Sequence, residues 1–187
     1  MKATEVTVQV FESKEELIKK LEANNFKFLG SSVMTDYYFS KYTTEELKKM
    51  TYAEIIKNSF IIRACGDHVS IVYKNKELDA NGNVISETKT RFDIADSQKA
   101  KELFLNARLN NWCDLVQDIH CYKNDEMEIL VQFVDGLGIF IEYEEDSAVA
   151  HLESGEKFEC MVNKIKSLGL NLGEDYSVKK VYEKFIG

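Results

Sequence analysis

The chain contains no proline, and only four cysteines, three histidines and one tryptophan occur in its 187 residues. No linker, repeat or low-complexity segment divides it, so one domain over residues 1–187 is expected, long enough to bury a sizeable core. Cys65, Cys113, Cys121 and Cys160 form no CxxC pair. They read as buried thiols in a reducing compartment, which places the protein in the cytoplasm. His68, His120 and His151 share no ligand spacing, which argues against a zinc site. No apolar run approaches the roughly 18 residues of a membrane span. The opening MKATEVTVQV alternates and does not read as a secretory leader. Positive charge is in deficit, with 24 Lys and Arg against 32 Asp and Glu and a net charge of −8. That argues against nucleic acid or an anionic membrane as a non-specific partner, while leaving room for a local basic pocket.

What remains is ordinary globular material rich in tyrosine and phenylalanine. Alternating segments dominate. Thr4–Phe11 places Val6, Val8 and Val10 on one face and Glu5, Thr7 and Gln9 on the other. Ser13 and Glu16 form a capping box that opens a helix ending at Asn24-Asn25, and Thr43 with Glu46 repeats the signal before a short helix. Val33–Ser40 reads as a strand. Ser59–Cys65 and His68–Lys74 read as a hairpin about Gly66-Asp67, and Asn81-Gly82 as a tight turn before a strand through Asp93. Asp96 or Ser97 caps a helix. Asp114–Tyr122, Met127–Val134 and Ile139–Glu145 are three further strands, followed by a helical tail broken near 168–173. About eight strands with short connections predict an α+β fold, mostly antiparallel, with enough strands to close a barrel.

Several strands carry ionisable residues on one alternating face: Glu5, Arg63, Lys74, Arg91 with Asp93, and Glu142 with Glu144. Alternating charge is usually a solvated face. Two glutamates at i, i+2, on a strand whose other face is apolar, repel each other unless a cation lies between them. Carboxylates take hard divalent cations, and arginine and lysine take phosphate oxygens.

In this order, the segments resemble the CYTH superfamily, which includes class IV adenylyl cyclases, thiamine triphosphatases and inorganic triphosphatases. Glu5-Val-Thr7-Val-Gln9 stands at the family's ExExK strand, Asp36-Tyr37-Tyr38-Phe39 at its aspartate-aromatic segment, and Ile61-Ile62-Arg63 at its RIR strand. Lys74, the Arg91/Asp93 pair, Gln117 to Tyr122, and Gln132 followed by GLGIFIEYE (136–144) complete the series. The resemblance spans about residues 4–186 and implies an antiparallel eight-stranded β-barrel, the triphosphate tunnel. It also implies Arg63, Lys74 and Arg91 as phosphate ligands, and Glu5, Glu142 and Glu144 as ligands of Mg²⁺ or Mn²⁺. Asp93, Gln9, Gln117 and Gln132 are further candidates.

Six positions depart from the family pattern by losing a charge. Thr7 and Gln132 replace acids, and Gln9, Ile61, Gln117 and Ile119 replace bases. Two functions are therefore expected to compete. One is a metal-dependent triphosphatase or adenylyl cyclase-like enzyme. The other is a phosphate- or nucleotide-binding module without turnover. A homodimer is compatible with the cyclase-like branch.

Overall fold

The structure, a computed structural model, describes residues 4–78 and 84–187. The Asn81-Gly82 turn lies outside these residues. Eight strands join in one antiparallel sheet: β1 (Glu5–Val10), β2 (Lys27–Ser40), β3 (Ser59–Cys65), β4 (His68–Leu78), β5 (Val84–Ile94), β6 (Asn110–Lys123), β7 (Glu128–Val134) and β8 (Gly138–Glu144). Their order is β1-β8-β7-β6-β2-β3-β4-β5. The helices are α1 (Lys14–Ala23), α2 (Thr44–Leu47), α3 (Tyr52–Lys57), α4 (Ser97–Asn106), α5 (Ser154–Lys166) and α6 (Lys180–Ile186). Among the described residues no helix is long and apolar enough to cross a membrane. The α+β class is as the sequence predicts, and the strands form a sheet in which no ladder among the described residues joins β1 to β5.

The chain divides into two compact units. Among the described residues, one comprises 33–78, 84–117 and 180–187, and the other 4–32 and 118–179.

In the first unit, β3 pairs with β2 and β4, and β4 with β5. The odd side of β4, with Val69 and Ile71, joins Phe39, Ile62 and Ile94 in packing against Ala100 and Phe104 of α4. Helix α4 starts where Asp96 accepts hydrogen bonds from the backbone N–H groups of Gln98 and Lys99. A third capping box, Thr51 with Glu54, starts α3 and extends the pattern read at Thr43.

In the second unit, Val6, Val8 and Val10 of β1 and Ile141 and Tyr143 of β8 bury one face against Leu17 and Leu21 of α1 and Met161 and Ile165 of α5. Burial of this apolar face supplies the main driving force for the unit. The outer edge of β1 is covered by the tail. Thr7 N–H donates to Tyr176 O at 3.0 Å, Val178 N–H to Thr7 O at 3.1 Å, Gly173 N–H to Gln9 O at 2.9 Å and Phe11 N–H to Asn171 O at 2.9 Å. An unpaired strand edge is thereby closed. The four cysteines are all free and half-buried, more open than the sequence suggests.

Candidate functional site

Because the core of the second unit takes the even residues of β1, the odd residues Glu5, Thr7 and Gln9 face the other way. Register then sets Glu5 opposite Glu144 and Thr7 opposite Glu142. One carboxylate oxygen from each of Glu5, Glu142 and Glu144 lies within 4.8 Å of the others. Cross-strand like charges at this spacing repel. Hydrogen bonds orient two of the three: Thr7 Oγ1 donates to Glu5 Oε1 at 3.1 Å, and Gln132 Nε2 donates to Glu142 Oε2 at 3.0 Å. Glu142 and Glu144 also line a cavity of about 480 Å³ whose wall includes Glu128, Glu145 and Asp146. Glu145 is held by Lys157 at 2.8 Å, and this bond keeps its carboxyl below the usual range. Gln9 is turned away from the acids. Its Nε2 donates to Leu137 O at 3.2 Å, bracing the β7–β8 turn.

The first unit holds the predicted basic residues on one face. Arg63 pairs in register with Asp36 and Ser70, Val72 with Arg91, Lys74 with Lys89, and Lys76 with Glu87. Residues opposite each other in a ladder share a face. Arg63, Lys74 and Arg91 therefore share one face. Asp36, 1% exposed, takes the Arg63 guanidinium in two hydrogen bonds of 2.7 and 2.6 Å. Arg91 reaches Asp93 at 3.2 Å, with both side chains well exposed. Lys74 is half-buried, and desolvation, with Lys76, Arg63 and Lys89 nearby, brings its amine down to about 7. Two cations on this face are additions to the sequence reading, Lys76 and Lys89, and both bond Glu87 at 2.9 Å. The signal for them was the period of two that runs on from Lys74 and back from Arg91. Gln117 is 2% exposed, and its Oε1 is buried without a hydrogen-bond partner among the described residues.

No protein-family profile matches the chain. In sequence it is similar to a protein of Methanocaldococcus jannaschii named as a candidate adenylate cyclase, 24% identical over 192 residues and covering 98% of each chain. In structure it resembles a protein of Pyrococcus horikoshii OT3, with a TM-score of 0.71, 20% identity and all of both chains covered. It also resembles a Hippeastrum protein described as a candidate adenylyl cyclase with a dominant triphosphatase activity. That match has a TM-score of 0.67, 13% identity and coverage of 100% of this chain and 95% of the other. The chain shares the fold of these solved structures, in keeping with the CYTH resemblance of its sequence.

Against the CYTH pattern that the sequence resembles, the acidic positions that are retained are those the ladder brings together. The lost ones have become polar supports. Thr7 donates to one surviving glutamate, and Gln132 donates to another. On the basic side, Ile61 is a fully apolar replacement, 1% exposed.

Proposed function

We propose that the chain binds a divalent cation and a phosphorylated ligand, a triphosphate or nucleotide, and acts as a metal-dependent triphosphatase of the CYTH tunnel type. The observation that carries this reading is the convergence of Glu5, Glu142 and Glu144 to within 4.8 Å of one another. Oxygens about 2.1–2.4 Å from one ion lie at most about 4.2–4.8 Å apart, so this donor set fits a hard divalent cation with water or phosphate oxygens in its remaining positions. Mg²⁺ or Mn²⁺ bound there would supply electrophilic polarisation of a phosphate oxygen. The chain's own residues hold and orient: Thr7 and Gln132 fix two of the carboxylates, and Arg63, Lys74 and Arg91 offer donors to phosphate. The candidate adenylate cyclase relative and the Hippeastrum protein with triphosphatase activity favour a triphosphate as the ligand. The acidic net charge of −8 suits a cytoplasmic protein with a small-molecule substrate and no nucleic-acid partner.

The test is phosphate release and cyclic-nucleotide formation from ATP, thiamine triphosphate and inorganic triphosphate, with Mg²⁺ or Mn²⁺. We expect phosphate release that falls at least about a hundredfold in Glu142→Ala, as for loss of a group that stabilises developing charge. Equal rates in the two proteins would remove the enzyme reading.

Two observations favour a binding module instead. The Arg63 guanidinium is already engaged by Asp36, and an amide stands at Gln132 where the family has an acid. Metal-dependent triphosphate binding without product would decide for it.

A further inference from the structure

Among the described residues of β2–β5, the face that carries Arg63 presents five cations, Arg63, Lys74, Lys76, Lys89 and Arg91, against three carboxylates, Asp36, Glu87 and Asp93. The carboxylates are unevenly placed. Asp36 is engaged by Arg63 in two hydrogen bonds, and Asp93 lies beside Arg91 with its side chain 82% exposed. Glu87 alone is shared by two lysines, its two oxygens each 2.9 Å from Lys76 and Lys89. Lys74 lies between these groups: register sets Lys89 opposite it, and Lys76 follows it on the same face. Among the described residues, the groups besides Asp36 that approach from β2 and α3 are phenols rather than carboxylates. Tyr38 from β2 is a buried phenol whose ionisation burial strongly opposes, and from α3 it is the Tyr52 ring, 6.0 Å from Lys76, that approaches.

We propose that Lys74, Lys76 and Lys89 form an anion site for a terminal phosphate group, and that filling it takes up a proton on Lys74. The proposal rests on the phosphate-binding reading above and adds two residues and a proton to it. Its chemical logic is electrostatic. A half-buried ammonium beside three other cations is disfavoured until an anion arrives. A phosphate oxygen supplies the missing negative charge and accepts from all three amines. The proton goes from solvent to Lys74 Nζ, and no covalent bond forms or breaks. The lowered Lys74 ionisation, to about 7, agrees with this geometry. Within its own unit the site offsets part of the basic charge missing at Ile61 and Gln117. It does so by adding Lys76 and Lys89, which stand outside the family's pattern, to Lys74, which stands within it.

The experiment is titration calorimetry of the full chain with inorganic triphosphate and Mg²⁺ at pH 8, in two buffers of different ionisation enthalpy. Wild type is expected to take up close to one proton per ligand, because an amine near 7 is only about a tenth protonated at that pH. Lys74→Met should abolish the uptake. Lys76→Gln and Lys89→Gln should each weaken binding about tenfold, the worth of one hydrogen bond to a charged group. Circular dichroism checks that each variant folds, and a ¹³C-methylated-lysine titration of wild type reads the Lys74 ionisation with and without triphosphate. Triphosphate binding with no proton uptake, or at full strength in Lys76→Gln and Lys89→Gln, overturns this proposal and leaves the proposed function standing. Absence of any triphosphate binding by wild type overturns both.

Discussion

Arg63 holds Asp36 across the β2–β3 ladder with both ends of its fork, Nε to Oδ1 at 2.7 Å and Nη2 to Oδ2 at 2.6 Å. The carboxylate is 1% exposed, whereas the arginine side chain is 24% exposed. The aspartate therefore depends on this partner for its charge to be tolerated.

Removing Arg63 should strand that carboxylate. We expect Arg63→Met to destabilise the protein by about 2–3 kcal/mol, below the upper range for broken buried pairs because solvent reaches the arginine. Arg63→Met with Asp36→Leu should recover at least half of the loss. Urea unfolding checks both. An Arg63→Met midpoint equal to wild type would mean that the pair contributes no stability.

The proposed metal site at the glutamate trio predicts that stability responds to metal. Saturating Mn²⁺, at about a hundred times its dissociation constant, should add about 2.7 kcal/mol to wild type. Glu142→Gln should lose that increment. In the absence of metal, Glu5→Gln should be slightly more stable than wild type, by about 0.5 kcal/mol, because a cross-strand repulsion is gone. Thermal melts with and without Mn²⁺ read both effects.

Gln132 offers a gain-of-function test. Its amide donates to Glu142 at 3.0 Å, where the family carries an acid. Gln132→Asp exchanges a donor for a fourth nearby carboxylate. Metal affinity should rise about tenfold, and stability without metal should fall. Electron paramagnetic resonance of Mn²⁺ binding, paired with melts in chelator, separates the two. An unchanged or weaker affinity would place Gln132 outside the metal's surroundings.

Lys74 gives a pH dependence of defined sign. Its ionisation in the folded chain, about 7, lies below the ordinary 10.5. Between those values the unfolded chain binds the additional proton, so stability contributed by this group rises with pH. Below pH 7 both states are protonated and the dependence vanishes. Without ligand, wild type should therefore gain stability from pH 7 to pH 9 relative to Lys74→Met. Urea midpoints at the two values check it, and parallel profiles would contradict it.

Legibility in the sequence followed what each residue had to satisfy. Val6, Val8 and Val10 announced β1 by their period of two, and that parity alone put Glu5 on the face it shares with Glu142 and Glu144. The Ser13 and Thr43 boxes marked helix starts because the capping chemistry is local. β2 was read six residues short, since Lys27–Ser32 is largely exposed and lacks the apolar alternation that signals a strand. Glu87 as the bridge between Lys76 and Lys89 was beyond reach, because it depends on β4–β5 register across a turn. The Arg63–Asp36 clasp was likewise hidden, although both residues were singled out separately.

The tail against β1 carries a consequence for how the chain folds. Thr7 bonds Tyr176 and Val178, and β1 pairs on its other side with β8. Both edges of β1 are thus satisfied only by segments far along the chain from it. The stretch from β3 to α4, by contrast, pairs with near neighbours in sequence. Contact separation sets a sequence of events: the hairpins carrying the lysines can form early from local contacts, while the acidic trio is assembled only once β8 has come back to β1.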